Sequence, residues 1–273
     1  MIDAGEELPT DVAPLVDPSG LRSWLIFEND DLLVFDKPGW LVCHPSKNGP
    51  WSSLAGAVRE VFNPDAIRLV NRLDRETSGI VILAKTRKIA ARLQYPRKGR
   101  VRKLYVSILE GEMSAPVTVN QPLGPDPSVN VSLKQRVVDG AGSQSATTVF
   151  HPLAVRGGYT FAGVELGSGR KHQIRAHAEW LGHRLLGDKL YGPDPGLYLE
   201  FALNGWTARH SELLGMTRQA LHCAAMDLRP IAVDIQLRAP FPADMARFMA
   251  ARMALSAAEA QQLQDEFVDS AFQ

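Results

Sequence analysis

Asn71-Arg72-Leu73-Asp74-Arg75-Glu76-Thr77-Ser78-Gly79 runs directly into Ile80-Val81-Ile82-Leu83-Ala84. A carboxylate stands between two arginines, a turn follows, and an apolar run of strand character comes next. The cationic neighbours favour the ionised form of Asp74. An anionic aspartate in basic surroundings fits two roles: a nucleophile that meets a polyanionic substrate, or a member of a structural ion pair. Arg72 lies two residues before Asp74, so on an extended segment both side chains point the same way and face one cleft. The rival reading of Arg72 is an ion pair with Glu76 or another acid.

Outward from this stretch the charge is uneven. The formal net charge of the 273 residues is zero. Yet no acid occurs between Ser78 and Leu109, a span that holds Lys85, Arg87, Lys88, Arg92, Arg97, Lys98, Arg100, Arg102 and Lys103. Because screening confines each charge to about 8 Å, such a run binds phosphate whatever the global sum; the alternative is a solvated face. Hydrophobic content of 45% and charged content of 22% are those of a soluble globular protein with a substantial core. No apolar run reaches the roughly 20 residues of a membrane span. Two cysteines, Cys43 and Cys223, are too few for a disulfide framework or a zinc site. The acidic opening (Asp3, Glu6, Glu7, Asp11) lacks the pattern of a secretory signal. A reduced, cytoplasmic setting is the expectation.

The pattern predicts strands at 32–35, 80–84, 104–109, 147–150, 159–166 and 235–237, where β-branched and aromatic residues gather. Ser53 to Val61 reads as a short helix. Thr86 is placed to cap a helix through Leu93 that Pro96 ends. His172 to Leu181 suits a helix closed by Gly182. Residues 121–145 and the stretch after Tyr191 read as irregular. Residues 1–21 read as a loose arm, 22–242 as one body and 243–273 as a helical extension whose stripe of Met245, Phe248, Met249, Met253 and Leu255 packs on the body. Strands interleaved with helices without regular βαβ spacing indicate an α+β fold.

Further blocks flank the opening stretch. Asp36-Lys37-Pro38-Gly39 follows a strand-like run, and Lys103-Leu104-Tyr105-Val106 is followed by Glu110-Gly111. Gly169-Arg170-Lys171-His172-Gln173-Ile174-Arg175-Ala176-His177 comes next, then Gly187-Asp188 with Tyr191-Gly192, and Leu221-His222-Cys223-Ala224. Together with Arg72-Leu73-Asp74, these blocks resemble, in order and spacing, the RluA-type RNA pseudouridine synthases over about residues 25–242. The resemblance implies the pseudouridine synthase fold: a mixed, largely antiparallel sheet flanked by helices, with a central catalytic cleft. Only about two dozen residues precede the first block, too few for the S4-type RNA-binding domain many members carry, so none is expected. RNA contact would then come from the catalytic body.

The resemblance implies isomerisation of a uridine in rRNA or tRNA, with no cofactor and no metal. Asp74 takes the nucleophilic role, as carboxylates do in glycoside chemistry. Tyr105 matches the tyrosine that stacks on the target base and is implicated in proton transfer at C5; a core tyrosine is the plain alternative. Arg175 matches the arginine that pairs with the catalytic carboxylate, for which a bidentate contact is expected. Arg72 is a candidate to enter the stack vacated by the flipped base. Arg75, Lys103, Arg170, His172, Gln173 and Ile174 are the further substrate-binding candidates. RNA is the expected partner, without a membrane, and a monomer is the expected state. Two departures stand out: Asn71 occupies a place where histidine is frequent, and Gln144-Ser145-Ala146 one where a lysine often appears.

Some features invite other readings. Gly167-Ser168-Gly169 lacks the context of a dinucleotide fingerprint, and His172, His177 and His183 lack the spacing of a helical zinc pair. Cys43 beside His44 reads as a buried free thiol. Two rival functions remain: an RNA-binding or RNA-folding protein that keeps the fold without turnover, and a carboxylate glycosidase acting on free nucleosides. The basic run argues against the second, because a small neutral substrate has no use for it.

Overall fold

The chain is described by a computed structural model over residues 15–44, 48–62, 67–140 and 142–273, so residues 1–14 of the expected arm lie outside it. The end of that arm is not loose. Val16 and Leu21 are buried in the core, the Val16 amide donates to the Trp51 carbonyl at 2.7 Å, and Asp17 caps a one-turn helix, α1 (Pro18–Leu21). Two apolar side chains in an otherwise polar segment suffice to dock it.

Ten strands make one sheet. Its path is β1 (Leu25–Glu28), β2 (Leu32–Lys37), β4 (Ser78–Ala84), β11 (Leu221–Asp227), β5 (Arg102–Glu110), β10 (Tyr159–Leu166), β9 (Thr147–Arg156) and β6 (Val117–Asn120). The short β3 (Arg68–Leu69) pairs with β4 and β12 (Gln236–Arg238) with β11. Only β4 and β11 run parallel among these neighbours. β4 is buried at all seven positions, which is why its sequence reads as continuous apolar residues rather than an alternation. β5 does alternate. Leu104, Val106 and Ile108 face a cluster completed by the C-terminal helices, whereas Tyr105 and Leu109 face the cluster of the opposite side. Period two thus puts Tyr105 on the face away from those helices.

Helix α2 (Leu54–Phe62) and helix α3 (Arg87–Gln94), the latter capped by the Thr86 hydroxyl, lie close to their expected places. So does α4 (Gln173–Trp180), whose N-cap His172 adopts a left-handed backbone at φ 53°. Residues 121–145 include a two-stranded ribbon, β7 (Leu123–Pro125) with β8 (Gln135–Val137). The stretch after Tyr191, expected to be irregular, instead forms α5 (Gly196–Asn204) and α6 (Ala208–Leu214). The Pro193/Pro195/Gly196 entry looks like a loop, and α5 buries only Leu197 and Phe201, one turn apart, so its periodic signal is faint. At the C-terminus, α7 (Ala243–Met253) and α8 (Ala257–Phe272), the latter opened by a Ser256–Glu259 capping box, bury Met245, Met249, Met253, Phe267 and Phe272 against the sheet. Among the described residues, no helix is long and apolar enough to cross a membrane.

Candidate active site

Asp74 sits in the loop that leads into β4, and neighbouring side chains fix that loop's backbone. Asn71 Nδ2 donates to the Ile80 carbonyl (3.0 Å) while its Oδ1 accepts from the Ile82 amide (2.8 Å), so this amide splices the loop to β4. The Leu73 amide donates to Cys43 Sγ at 3.3 Å. The fully buried Lys37 donates from Nζ to the Pro38 carbonyl (2.7 Å) and the Arg75 carbonyl (3.2 Å), and burial pushes its pKa down to about 8. Lys189 Nζ meets both carboxylate oxygens of Glu76 (3.1 and 3.0 Å) beneath the rings of Trp40, Phe201 and Trp206. Arg218, buried, donates to the Glu76 carbonyl (3.1 Å) and forms a two-pronged pair with Asp244 of α7 (2.5 and 2.8 Å). The C-terminal helices are thereby tied to the loop that carries Asp74.

Arg175, near the start of α4, joins two carboxylates. Its Nη1 donates to Asp74 Oδ2 at 3.0 Å, while Nε and Nη2 grip Asp188 at 2.7 and 2.8 Å. The bidentate partner is therefore Asp188 and not, as the sequence suggested, Asp74. The fully buried Asp188, also fixed by the amides of Leu190 and Tyr191 (both 3.0 Å), takes the Nε/Nη2 edge of the guanidinium and leaves Nη1 for Asp74. Burial opposes ionisation of Asp74, but the Arg175 charge and hydrogen bond outweigh it and hold the carboxyl below the usual range. Its side chain is 31% exposed, open to the cleft.

His172 closes the arrangement from the other side, with Nε2 3.7 Å from Asp74 Oδ2 and Nδ1 3.0 Å from the Tyr191 hydroxyl. That hydroxyl also accepts from the Gln135 amide at 2.7 Å, which fixes it beside the ring. Burial, then the Arg175 charge, push the His172 pKa down to about 4. The ring is neutral near pH 7, its Nε2 faces Asp74, and the positive charge beside that carboxylate belongs to Arg175.

A cleft of about 270 Å³ opens in front of these groups. Asp74, Lys103, Tyr105, Leu166, Ile174 and Leu221 are among its walls. Tyr105 stands opposite Cys223 and Val164 in the sheet, and burial, followed by the Cys223 thiol, raises its pKa well above the ordinary phenol value. The largely buried Lys103 has its pKa lowered by burial. Arg170 lies exposed on the rim, donating to the Ser145 carbonyl (3.2 Å). Gln173 is differently employed. Its Nε2 donates to the Thr147 carbonyl and Thr148 hydroxyl (both 2.9 Å), and its Oε1 accepts from Ser168 and the Arg170 amide (2.7 and 3.0 Å). All four capacities of the amide are spent on the cleft wall. His177 likewise bonds Thr148 and the Gln121 carbonyl.

Arg72 is exposed, makes no ion pair among the described residues, and borders both this cleft and a larger lobe of about 600 Å³ on the far side of Asp74. Glu76, its suggested partner, is taken by Lys189. Arg75 lies 5.4 Å from the Trp40 ring centroid and lines the larger lobe. The sequence had pointed to Gly187-Asp188 and Tyr191 as a block but not to their service to Arg175 and His172.

The geometry has parallels. Residues 31–180 match the model of a family described as RNA pseudouridylate synthase. The chain belongs to that family. It is 33% identical over 231 residues to the uncharacterized RNA pseudouridine synthase YhcT of Bacillus subtilis (strain 168), covering 81% of this chain and 69% of the relative. It is 31% identical over 232 residues to ribosomal large subunit pseudouridine synthase D of Salmonella typhimurium, with coverage of 81% and 68%. In fold it is similar to human RNA pseudouridylate synthase domain containing 4, with a TM-score of 0.66, 18% identity and coverage of 85% and 94%. As a pseudouridine synthase the chain is an isomerase that acts on RNA, and its fold is the mixed, mostly antiparallel sheet of that family.

Proposed function

We propose that this pseudouridine synthase isomerises specific uridines of ribosomal or transfer RNA, with Asp74 as the nucleophile. The observation that carries the reading is one ionised carboxylate, held by a buried arginine, at the wall of a cleft that also presents a phenol and an apolar side. The target base leaves its helix to enter this cleft. Arg72, exposed and without an ion pair among the described residues, takes the vacated place in the stack.

Asp74 Oδ2 accepts from Arg175, so Oδ1 is the oxygen that bonds to C1′. The N1–C1′ bond breaks and its electron pair leaves with the uracil. The base turns within the cleft, C5 bonds to C1′, and the ester oxygen leaves as carboxylate. C5 loses a proton and N1 gains one, so no atom is gained or lost overall and no redox partner is required. Tyr105, whose pKa is raised, serves as a neutral phenol that stacks on the base and relays a proton, not as a phenolate base. Ile174 supplies apolar wall, Lys103, Arg75 and Arg170 supply positive charge for the backbone, and Gln173 shapes the wall that His172 completes. The enzyme works as a cytoplasmic monomer in this reading. Similarity to a ribosomal large subunit synthase makes ribosomal RNA the first substrate to try.

The test is tritium release from RNA labelled at C5 of uridine, using rRNA and tRNA from a strain that lacks the gene. Wild type should release tritium, and Asp74→Asn should be slower by roughly 10³-fold or more. Release by the variant at wild-type rate would overturn the nucleophile, and no release by wild type from either RNA would overturn the activity on these substrates.

A further inference from the structure

Breaking the N1–C1′ bond moves a negative charge. Before attack that charge sits on Asp74, beside Arg175. Once Asp74 is an ester, the charge lies on the detached uracil, spread over N1, O2 and O4, and Arg175 keeps Asp188 as its ionised partner. A cleft that retains the anion needs a positive group aimed at the base. Most of the wall has none to offer. His172 and Tyr105 are neutral, and the Gln173 amide is spent on Thr147, Thr148, Ser168 and Arg170. Arg72, Arg170 and Lys171 border the cleft but are exposed to solvent. Lys103 remains. It precedes Tyr105 by two residues on β5, so both side chains leave the same face of the strand, and both line the cleft.

The surroundings of Lys103 differ from those of the other buried lysines. Lys37 donates to two carbonyls, and Lys189 is paired with Glu76. Lys103, largely buried, makes no ion pair and no hydrogen bond among the described residues. Burial pushes its neighbour, the Cys223 thiol, up to about 12, so that group stays neutral. An ammonium that is partly desolvated and has no counter-charge destabilises the fold. In the same low-dielectric place it strengthens any interaction with an anion that forms beside it.

We propose that Lys103 is a catalytic residue, whose ammonium donates to a carbonyl oxygen of the target uracil and stabilises that base as an anion between cleavage of N1–C1′ and formation of C5–C1′. The assignment rests on the isomerase reading above and extends it: the charge that meets the backbone when RNA binds also meets the base when it detaches. Lys103 stays protonated throughout. The electron pair of the broken bond remains on the uracil until C5 attacks C1′, and the C5 proton leaves afterwards.

The experiment uses the full chain and an RNA hairpin that spans a mapped target, with uridine or 5-fluorouridine at that target. Single-turnover rates are followed as loss of the target nucleoside after digestion, and KM is measured on the uridine RNA. Lys103→Met keeps the length of the side chain and removes its charge. It should lower the rate on uridine by about 100-fold while KM changes less than about threefold. 5-Fluorouracil is the better leaving anion, so on that RNA the loss should be several-fold smaller. Thermal melts by circular dichroism establish that the variant folds, and it should melt no lower than wild type, because an unpaired charge has left a buried place. Should Lys103→Met not fold, Lys103→Gln decides by the same measurements. A wild-type rate in the folded variant, a loss confined to KM, or a loss equal for the two bases would overturn the catalytic assignment, while turnover by wild type leaves the isomerase reading standing. No turnover by wild type would strike that reading, and this assignment with it.

Discussion

At the scale of single residues, the ionisation of Asp74 turns on Arg175, and the placement of Arg175 turns on Asp188. Replacing Asp188 with Asn removes the charge that balances a buried guanidinium. Breaking a buried pair from one side typically costs about 3–5 kcal/mol, because the remaining charge is left uncompensated. Asp188→Asn should therefore lower stability by about that amount in urea unfolding and reduce turnover as well, since the guanidinium loses the edge that sets its angle to Asp74. A stability within about 0.5 kcal/mol of wild type would show that the pair is not balanced as described. The same argument gives a pH dependence. A carboxyl whose pKa is lowered stays ionised to lower pH, so the acid limb of the single-turnover rate should lie below the ordinary aspartate value of about 3.9. His172, neutral from about 4 upward, adds no limb near neutrality, and Tyr105 adds none below the ordinary phenol range. A rate that falls by half at pH 5 or above would contradict an Asp74 ionised by Arg175. Asp74, Tyr105 and Arg175 were legible in the sequence because each lies in a short block with its own pattern. The two-pronged grip of Arg175 on Asp188 was not, because nothing in spacing says which of two carboxylates takes the paired edge.

At the scale of elements, the position of the site depends on how closely β4 and β11 approach. Gly79 enters β4 with φ at 108°, and a Cβ there would lie 2.3 Å from the Cys223 carbonyl oxygen of β11. Both the conformation and the space exclude a side chain. Gly79→Ala should cost about 3 kcal/mol or more, and part of the loss should appear as activity, because the same strand start carries the loop of Asp74 and the pair Ser78–His222 (2.9 Å). A thermal melt within 2 °C of wild type would refute this. Strands and capped helices were readable from composition: β4 and β5 from their branched and aromatic residues, α3 from Thr86. Helices α5 and α6 were hidden by a proline- and glycine-rich entry and by a buried face only two residues wide. Their contribution is tertiary: α5 supplies Phe201 to the aromatic shelter of Lys189 and Tyr198 to the second lobe.

At the scale of the whole molecule, the question is how a chain of zero net charge holds a polyanion. The acid-free run from Ser78 to Leu109 is only partly free in space. Lys85 pairs with Glu28 at 2.7 Å and Arg102 lies 3.7 Å from Glu165, both acids from elsewhere in the chain. Lys103 is turned into the cleft. Arg92 and Arg100 donate to the carbonyls of Ala232 and Gly167, which orients them without neutralising them. Arg87, Lys88, Arg97 and Lys98 stand exposed with no ion pair among the described residues, and Tyr95, 81% exposed, stands between the two pairs. Spatial neutralisation was invisible in the sequence because Glu28 and Glu165 are distant along the chain. What survives is a set of exposed cations on α3 and on the segment that runs into β5, the strand that carries Lys103. Removing one cation from a phosphate should reduce the slope of log affinity against log salt by about 0.7–0.9, the lower figure for single strands. Arg97→Ala combined with Lys98→Ala should thus flatten the slope by about 1.4–1.8 across a series of salt concentrations, weakening binding at low salt far more than at high salt. Asp74→Asn, which changes the chemistry and not the phosphate track, should keep the wild-type slope. Equal slopes for wild type and the double variant would mean that the RNA does not cross this face.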